Sequence, residues 1–416
     1  MTTTARPPAR RPPPPKRFGR AHAGIPAPAR PKRKTKRPAR PTAPYVVLLL
    51  IVAALNLIGL VMVLSASSVQ ALRHHGSSWF FFNRQLMWVA IGTGALVIAS
   101  RLDYRKLQRW AKPLLAVALA LTAAVLVPGV GITAGGSTRW LGLGALRLQP
   151  SELAKLALLL YTCDLLARRG DRMDDKRATL WPVVGMYVAV AVLLLAQPDL
   201  GTALVIGGIV LSVLFLAGAP LGSMAGLGFG AAVVTVLLAK VEPYRWRRIT
   251  SFLDPLADAG NTGYQAAQGR VALASGGLFG VGLGASRAKW GFLPAAHTDF
   301  IFAIIGEELG LAGTLVVVGL FAGLAAVGVR AALRAPDRFG GLLAGGVTAW
   351  IVGQAVVNVG AVVGLLPITG VPLPFVSSGG SSLVPAMAAI GVLLNVTRQS
   401  PARRRANPRP APATEG

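Results

Sequence analysis

Apolar stretches recur along this chain far more often than one hydrophobic core can use. Ten of them read as helices, near 45–66, 80–100, 113–128, 151–168, 181–197, 201–218, 220–239, 300–328, 340–366 and 382–397. Crossing the apolar part of a bilayer takes about 20 residues. Most of the stretches reach that length, and those near 113 and 382 borrow from their flanks. The pattern predicts an all-α polytopic membrane protein of about ten transmembrane helices. A large extracytoplasmic loop, about 240–300, separates spans seven and eight. A connection of that length is seldom a plain linker in a compact domain. This one carries aromatic and apolar residues of its own and is expected to fold against the membrane surface.

The two ends read differently. Residues 1–44 hold thirteen Lys and Arg, no acid, and mostly Pro and Ala otherwise. Such a segment buries too little apolar surface to fold. Three regions follow: a basic, Pro-rich disordered tail at 1–44, a membrane domain at 45–398 and a second disordered tail at 399–416. The first tail is either a topology anchor or an arm for anionic lipid.

Composition supports the membrane assignment: 53% of the 416 residues are hydrophobic and 14% charged, against about 25% charged in soluble domains. The formal charge of +28 would suggest nucleic acid if it sat on a folded domain. It sits instead in the tails and in short loops, which argues for no nucleic-acid partner. With the N-terminus inside, 31 of the 43 Lys and Arg fall on inner segments. Basic loops stay cytoplasmic, so both termini are expected there. The segments with unusual sequence, Gly129–Pro150, Gln197–Gly201, 240–300 and Leu366–Ser382, then lie outside. The lone Cys163 allows neither an intrachain disulfide nor a Cys-pair metal site, and no zinc-protease, P-loop or dinucleotide-binding motif occurs.

Four clusters on the outer segments could carry chemistry, because ionisable groups beside membrane helices are costly to keep. Arg139 and the run Arg147-Leu148-Gln149-Pro150-Ser151-Glu152, with Lys155, start the fourth helix. Glu152 and Lys155 share a face. Either the two form a neutralising salt bridge, or Arg147 and Lys155 build an anion site near a helix N-terminus. Asp199 follows Gln197-Pro198 and is either a helix cap or a working carboxylate. Asp299 falls where His297-Thr298-Asp299 enters span eight, as an N-cap or as a carboxylate at the membrane boundary; Glu307 and Glu308 follow about two turns deeper. The segment from Leu366 to Ser382 has three prolines and three glycines, which forbid a regular helix. It is a plain re-entrant loop or the lining of a groove.

At these residues the chain resembles the SEDS family (shape, elongation, division and sporulation). The resemblance rests on Gln149-Pro150-Ser151-Glu152 with Lys155, Gln197 to Thr202, Arg248-Ile249-Thr250-Ser251-Phe252 with Pro255 and Asp258, Gly263-Tyr264-Gln265 with Gln268, His297 to Phe302 with Glu307-Glu308-Leu309-Gly310, and the loop from Gly370 to Ser382. Phe302 to Glu308 and Pro374 to Ser377 look more like the cell-division branch than the elongation branch. Ala295 and Ser378 depart from the family, which often has Glu and Tyr there. The missing acid at 295 weakens any scheme that needs two carboxylates beside Asp299.

The resemblance implies a peptidoglycan glycosyltransferase that polymerises lipid II on the outer membrane face, at the septum. It makes Asp299 the catalytic base and Arg147 and Lys155 substrate-binding cations. Glu152, Arg139, Asp199, Gln265, Gln268, His297, Glu308 and Ser377 join them as candidate binding residues. The implied partners are lipid II, a class B penicillin-binding protein and other division membrane proteins. A divalent cation is compatible with a pyrophosphate substrate, although the sequence holds no metal motif. An elongation-type polymerase, a lipid II flippase and a non-catalytic scaffold are the alternatives.

Overall fold

The computed structural model describes residues 43–134, 137–143, 146–170, 175–241 and 262–399, with 173, 246 and 252. The tail assignments, at 1–42 and from 400 onward, and the Arg248-to-Asp258 part of the family resemblance, Phe252 apart, lie outside the described residues.

Helices dominate. In chain order they are α1 Ala43–His75, α2 Phe80–Arg101, α3 Leu107–Ala124, α4 Pro150–Arg168, α5 Leu180–Ala196, α6 Leu200–Ala217, α7 Leu221–Val241, α8 Thr262–Ser275, α9 Ile301–Leu333, α10 Arg338–Val363 and α11 Leu383–Gln399. Except for α8, each falls on one of the ten apolar stretches. Among the described residues, seven helices are long and apolar enough to cross a membrane. The apolar α5 is shorter, with 17 residues. Both α3 and α4 carry charges within helices of 18 and 19 residues. The large loop between α7 and α9 contains α8 and a chain of tight turns.

The all-α expectation holds except after α3, where the chain forms a three-stranded antiparallel sheet, β1 Ile132–Ala134, β2 Ser137–Leu143 and β3 Leu146–Leu148. Ile132 pairs with Trp140 and Leu141 with Leu148. The sheet delivers the chain into α4 with Arg147 on β3.

Helix α4 is the hub of the core. It packs on α3, α5, α6, α10 and α11, and its buried positions run from Pro150 through Leu166 on more than one face. A helix buried on most sides and carrying Glu152 and Lys155 must pair those charges internally. Helix α7 is the opposite case: only Ala239 is buried, so its apolar surface faces outward, as a lipid-facing helix requires.

Two glycines fix close approaches. On α1, a Cβ at Gly59 would stand 2.5 Å from the carbonyl oxygen of Phe375. Only a bare backbone lets the 366–382 loop sit against α1 there. The loop needs that contact, since Phe375 holds φ +66, a conformation costly for a bulky residue unless its surroundings impose it. Gly310 has φ 67 and ψ −163 inside α9, a break in the helix that only glycine readily adopts.

Candidate active site

The site grows from one face of α10. Trp350, Gln354 and Asn358 recur every four residues and so line one helix face. The Trp350 indole N–H donates to Gln354 Oε1 at 3.0 Å. The Gln354 amide donates to the Pro372 carbonyl at 2.9 Å. One turn along, the Asn358 amide donates to both Val371 O, at 2.8 Å, and Asp299 O, at 2.7 Å. Two side chains on α10 therefore grip consecutive carbonyls of the irregular loop, and one of them also fixes Asp299.

Lys155 reaches the same face. Its ammonium lies 2.8 Å from Glu152 Oε2 and donates to Gln354 Oε1 at 3.1 Å. It also stands 5.5 Å over the Trp350 ring, within cation–π range. Lys155 and Glu152 are both buried. Of the two sequence readings, the salt bridge is the one seen, and Lys155 is already engaged on every side described. Glu152 sits in the first turn of α4, which Pro150 opens, where the helix dipole favours an anion. Ser151 does not cap the helix: Gln149 holds the N-cap position.

The irregular loop is tied down along its length. Ser378 N donates to His297 O at 3.0 Å. Gln85 on α2 donates to Ser377 O at 3.3 Å, and Gln149 N donates to Ser381 Oγ at 3.2 Å. Ser377 is buried, with its hydroxyl accepting from Leu373 N at 2.8 Å. Irregular backbone at membrane depth needs such internal partners. Covered by protein on these sides, the loop is a wall of the site.

Asp299 itself is half-buried. Thr298 donates its hydroxyl to Asp299 Oδ1 at 3.1 Å. A Cβ on Gly370, which has φ +70, would lie 3.9 Å from Oδ2, so the bare glycine leaves space beside that oxygen. The N-cap of α9 is Phe300. The capping role considered for Asp299 thus gives way to a carboxylate one residue outside the helix.

His297, two residues earlier, is buried against Phe81, with ring centroids 4.8 Å apart. Its Nδ1 has no hydrogen-bond partner among the described residues. Burial holds its pKa down at about 4, from an ordinary 6.5, so at neutral pH it is an uncharged imidazole. Gln265 on α8 donates to Pro294 O at 3.2 Å and steadies the same turn. Gln268 is half-buried on that helix.

Asp199 takes the capping role. Its carboxylate caps α6 by accepting from Thr202 N at 3.3 Å. It also accepts from the Gln149 amide at 3.3 Å and lies 3.5 Å from Arg139 Nη1. Arg139 donates further to the carbonyls of Gln197 and Pro198. This cluster anchors the sheet to the α5–α6 turn.

Arg147 is exposed on β3. Arg84, one residue before Gln85 on α2, lies close enough for the two like charges to act on one another. Among the described residues neither pairs with a carboxylate. Two neighbouring cations without a carboxylate partner are the kind of group that can seat an anion. Glu307 and Glu308 are both buried and stabilise the turn before Asp299. Glu307 accepts from the Ser286 hydroxyl and from Arg287 N at 2.8 Å. Glu308 accepts from the Ser65 hydroxyl at 2.6 Å and lies 3.7 Å from Lys289 Nζ. Among the described residues no three His, Cys, Asp or Glu converge to hold a metal ion.

Gln354, Asn358 and Arg84 were not singled out in the sequence. The signal for the first two was available: amides inside an apolar run must find partners.

Residues 46–402 match the cell cycle protein family of FtsW, RodA and SpoVE. The chain belongs to that family. It is 42% identical over 359 residues to stage V sporulation protein E of Bacillus subtilis, covering 86% of this chain and 98% of the relative. It is 41% identical over 386 residues to the probable peptidoglycan glycosyltransferase FtsW of Mycobacterium tuberculosis, covering 92% and 74% of the two chains. Among solved structures, a chain of a peptidoglycan synthase complex that coordinates polymerization and crosslinking superimposes with a TM-score of 0.71. It shares 32% identity over 85% of this chain and 97% of its own. The rod shape determining protein RodA of Thermus thermophilus gives 0.63 at 31% identity, covering 85% and 96%. Membership of the FtsW/RodA/SpoVE family agrees with the multi-pass helical architecture and with the motifs that line the site.

Proposed function

We propose that this FtsW/RodA/SpoVE protein is a peptidoglycan glycosyltransferase that polymerises lipid II on the outer membrane face at the division septum. The observation that carries the reading is the placement of Asp299. Its main chain is fixed by Asn358, and its carboxylate faces the space left by Gly370 beside the wall formed by residues 366–382. Relatives bearing the name FtsW are described as probable peptidoglycan glycosyltransferases.

In the proposed reaction the acceptor sugar hydroxyl attacks the anomeric carbon of the donor. The bond from that carbon to the pyrophosphate oxygen breaks, and undecaprenyl pyrophosphate leaves with the electron pair. The hydroxyl proton passes to Asp299. General-base help of this kind contributes about 100- to 10,000-fold. Negative charge grows on the departing pyrophosphate, where Arg147 and Arg84 supply the opposing charge. Lys155 and Glu152 act from beneath by holding Gln354 and hence the loop. The partner is a class B penicillin-binding protein, in keeping with the synthase complex of the structural relative.

The test is glycan-strand synthesis from labelled lipid II by the purified protein with its partner. Long strands made with the partner's transpeptidase blocked support the reading. Well-folded protein that makes no strands yet moves lipid II between leaflets would replace it with a flippase.

A further inference from the structure

The break at Gly310 is filled by another part of the chain. Val281 N donates to Glu307 O at 2.9 Å and Gly282 N to Glu308 O at 3.1 Å. In return Leu311 N donates to Gly277 O at 3.0 Å and Ala312 N to Leu278 O at 3.1 Å. The turn from Gly276 to Leu283 thus replaces the hydrogen bonds that α9 gives up. The approach is as close as backbones allow. A Cβ at Gly276 would lie 1.9 Å from Gly306 O, and one at Gly280 would lie 2.1 Å from Glu308 O.

The side chains of this turn point away from the protein. Leu278 is 64% exposed, Phe279 84%, Val281 47% and Leu283 61%. Exposing four large apolar groups to water at one tip is expensive. Their neighbours say what covers them. Residues 301–308 of α9 are all buried, and the exposed apolar face of the helix begins at Leu311 and continues through Leu315, Val316 and Val318. Leu311 is the residue whose N–H bonds the turn. Beyond the break, residues 311–333 extend about 35 Å at about 1.5 Å per residue, enough for a hydrocarbon core of about 30 Å. The tip therefore meets α9 at the start of its lipid-facing band. Unpaired backbone groups would bar a loop from hydrocarbon, and four of this turn's, the N–H of Val281 and Gly282 and the carbonyls of Gly277 and Leu278, are engaged by α9. After the tip come exposed Arg287 and Trp290, residue types that favour the headgroup zone.

We infer that the turn Leu278–Leu283 inserts into the membrane leaflet on the Asp299 side, with lipid acyl chains as its partner. The inserted tip sets the depth of the loop that carries His297 and Asp299. The link runs through the stem: Glu307 and Glu308 hold Ser286, Arg287 and Lys289, which lead through the following turns to Asp299. This inference stands apart from the proposed reaction, because it concerns where the loop lies and not what it catalyses.

The full chain offers a direct test, since its single Cys163 is buried and will not label. Phe279→Cys and Val281→Cys, each carrying an environment-sensitive thiol fluorophore, are reconstituted in vesicles of ordinary or acyl-brominated phospholipid. Leu315→Cys serves as the lipid-facing reference and Ser77→Cys as the water-facing one. Blue-shifted emission, quenching by brominated lipid to the level of Leu315→Cys, and shielding from aqueous iodide are expected at both tip positions. Iodide quenching at the level of Ser77→Cys would overturn the inference. So would protection from both quenchers, which would mean that protein covers the tip, and so would loss of bromolipid quenching on adding a class B penicillin-binding protein, which would give the surface to that partner.

Discussion

Asn358 donates its side-chain amide to the main-chain oxygen of Asp299 at 2.7 Å and shares that donor with Val371 O at 2.8 Å. One amide thus sets the distance between the proposed base and the wall of its site. Asn358→Ala removes both bonds and leaves two carbonyls short of a donor. Each such loss costs about 1–3 kcal/mol when the group is buried, and displacing a reacting group by about 1 Å can cost about a hundredfold. The expected result is a fall in kcat toward that size with KM for lipid II little changed. An unchanged kcat in folded protein would show that the clamp does not position Asp299.

Lys155 and Glu152 make a different prediction, because both are buried and paired at 2.8 Å. Removing one partner strands the other, at about 3–5 kcal/mol. Lys155→Ala should therefore lower the unfolding temperature clearly, contrary to what an exposed anion-binding lysine would do. Lys155→Met with Glu152→Leu should recover much of that stability while activity stays low, because Gln354 has lost the ammonium. Stability that simply adds across the two substitutions would argue against a coupled pair.

Arg147 and Arg84 carry the anion-seat prediction. Arg147 is exposed and Arg84 half-buried, and neither has a carboxylate partner among the described residues. Each alanine variant should fold normally. Loss of one charge-assisted contact of about 1.5–3 kcal/mol corresponds to roughly ten- to a hundredfold weaker lipid II binding. Inorganic pyrophosphate should inhibit the parent more strongly than either variant. Equal inhibition of all three would empty the proposed seat.

Much of this was legible in the chain. Apolar runs the length of a bilayer announce their helices, and the basic residues between them suggest which side each loop takes. The sheet was not legible: its strands have three, seven and three residues, too short to show alternation. The motif residues Glu152, Asp199 and Asp299 were visible as charges beside apolar runs. Gln354, which holds Lys155, and Asn358, which holds Asp299, stood out less, because a neutral amide in an apolar helix barely alters its hydropathy and only its need for a partner marks it. The break in α9 was hidden for another reason. Gly310 looks like any membrane-helix glycine until the turn at Gly276–Leu283, some thirty residues earlier, is seen to bond across it.

His297 predicts a pH effect on stability. Its folded pKa is held down at about 4 by burial, against about 6.5 in an exposed histidine. Above pH 6.5 neither the folded nor the unfolded chain protonates this group, and its influence is flat. Between pH 6.5 and about 4 the unfolded chain takes up a proton that the folded one does not, so stability falls as pH falls. Below about 4 the loss from this residue is complete. Thermal unfolding of the parent should show this decline, and His297→Gln should decline less steeply across the same window. Parallel curves would mean that the imidazole is not buried as neutral.

Asp299 carries the most decisive prediction. Its carboxylate is half-buried, one residue before the N-cap of α9, with Thr298 on one oxygen and the space beside Gly370 near the other. Asn has nearly the same shape and keeps the main-chain oxygen that Asn358 holds, so Asp299→Asn should unfold close to the parent temperature. It cannot accept a proton at neutral pH. If the carboxylate is the base, strand synthesis should drop by at least about a hundredfold, while lipid II binding, which depends on the arginines, stays near normal. Asp199→Asn is the control. It keeps an oxygen for the Thr202 cap and gives up the charge facing Arg139 at 3.5 Å and the second oxygen that accepts from Gln149, contacts that anchor the sheet and lie away from the proposed base. Its activity should fall only a few-fold. The measurements are glycan length and rate from labelled lipid II, taken beside unfolding curves for each variant. Near-normal synthesis by folded Asp299→Asn, or an equal collapse in both variants, would take the base assignment away from Asp299.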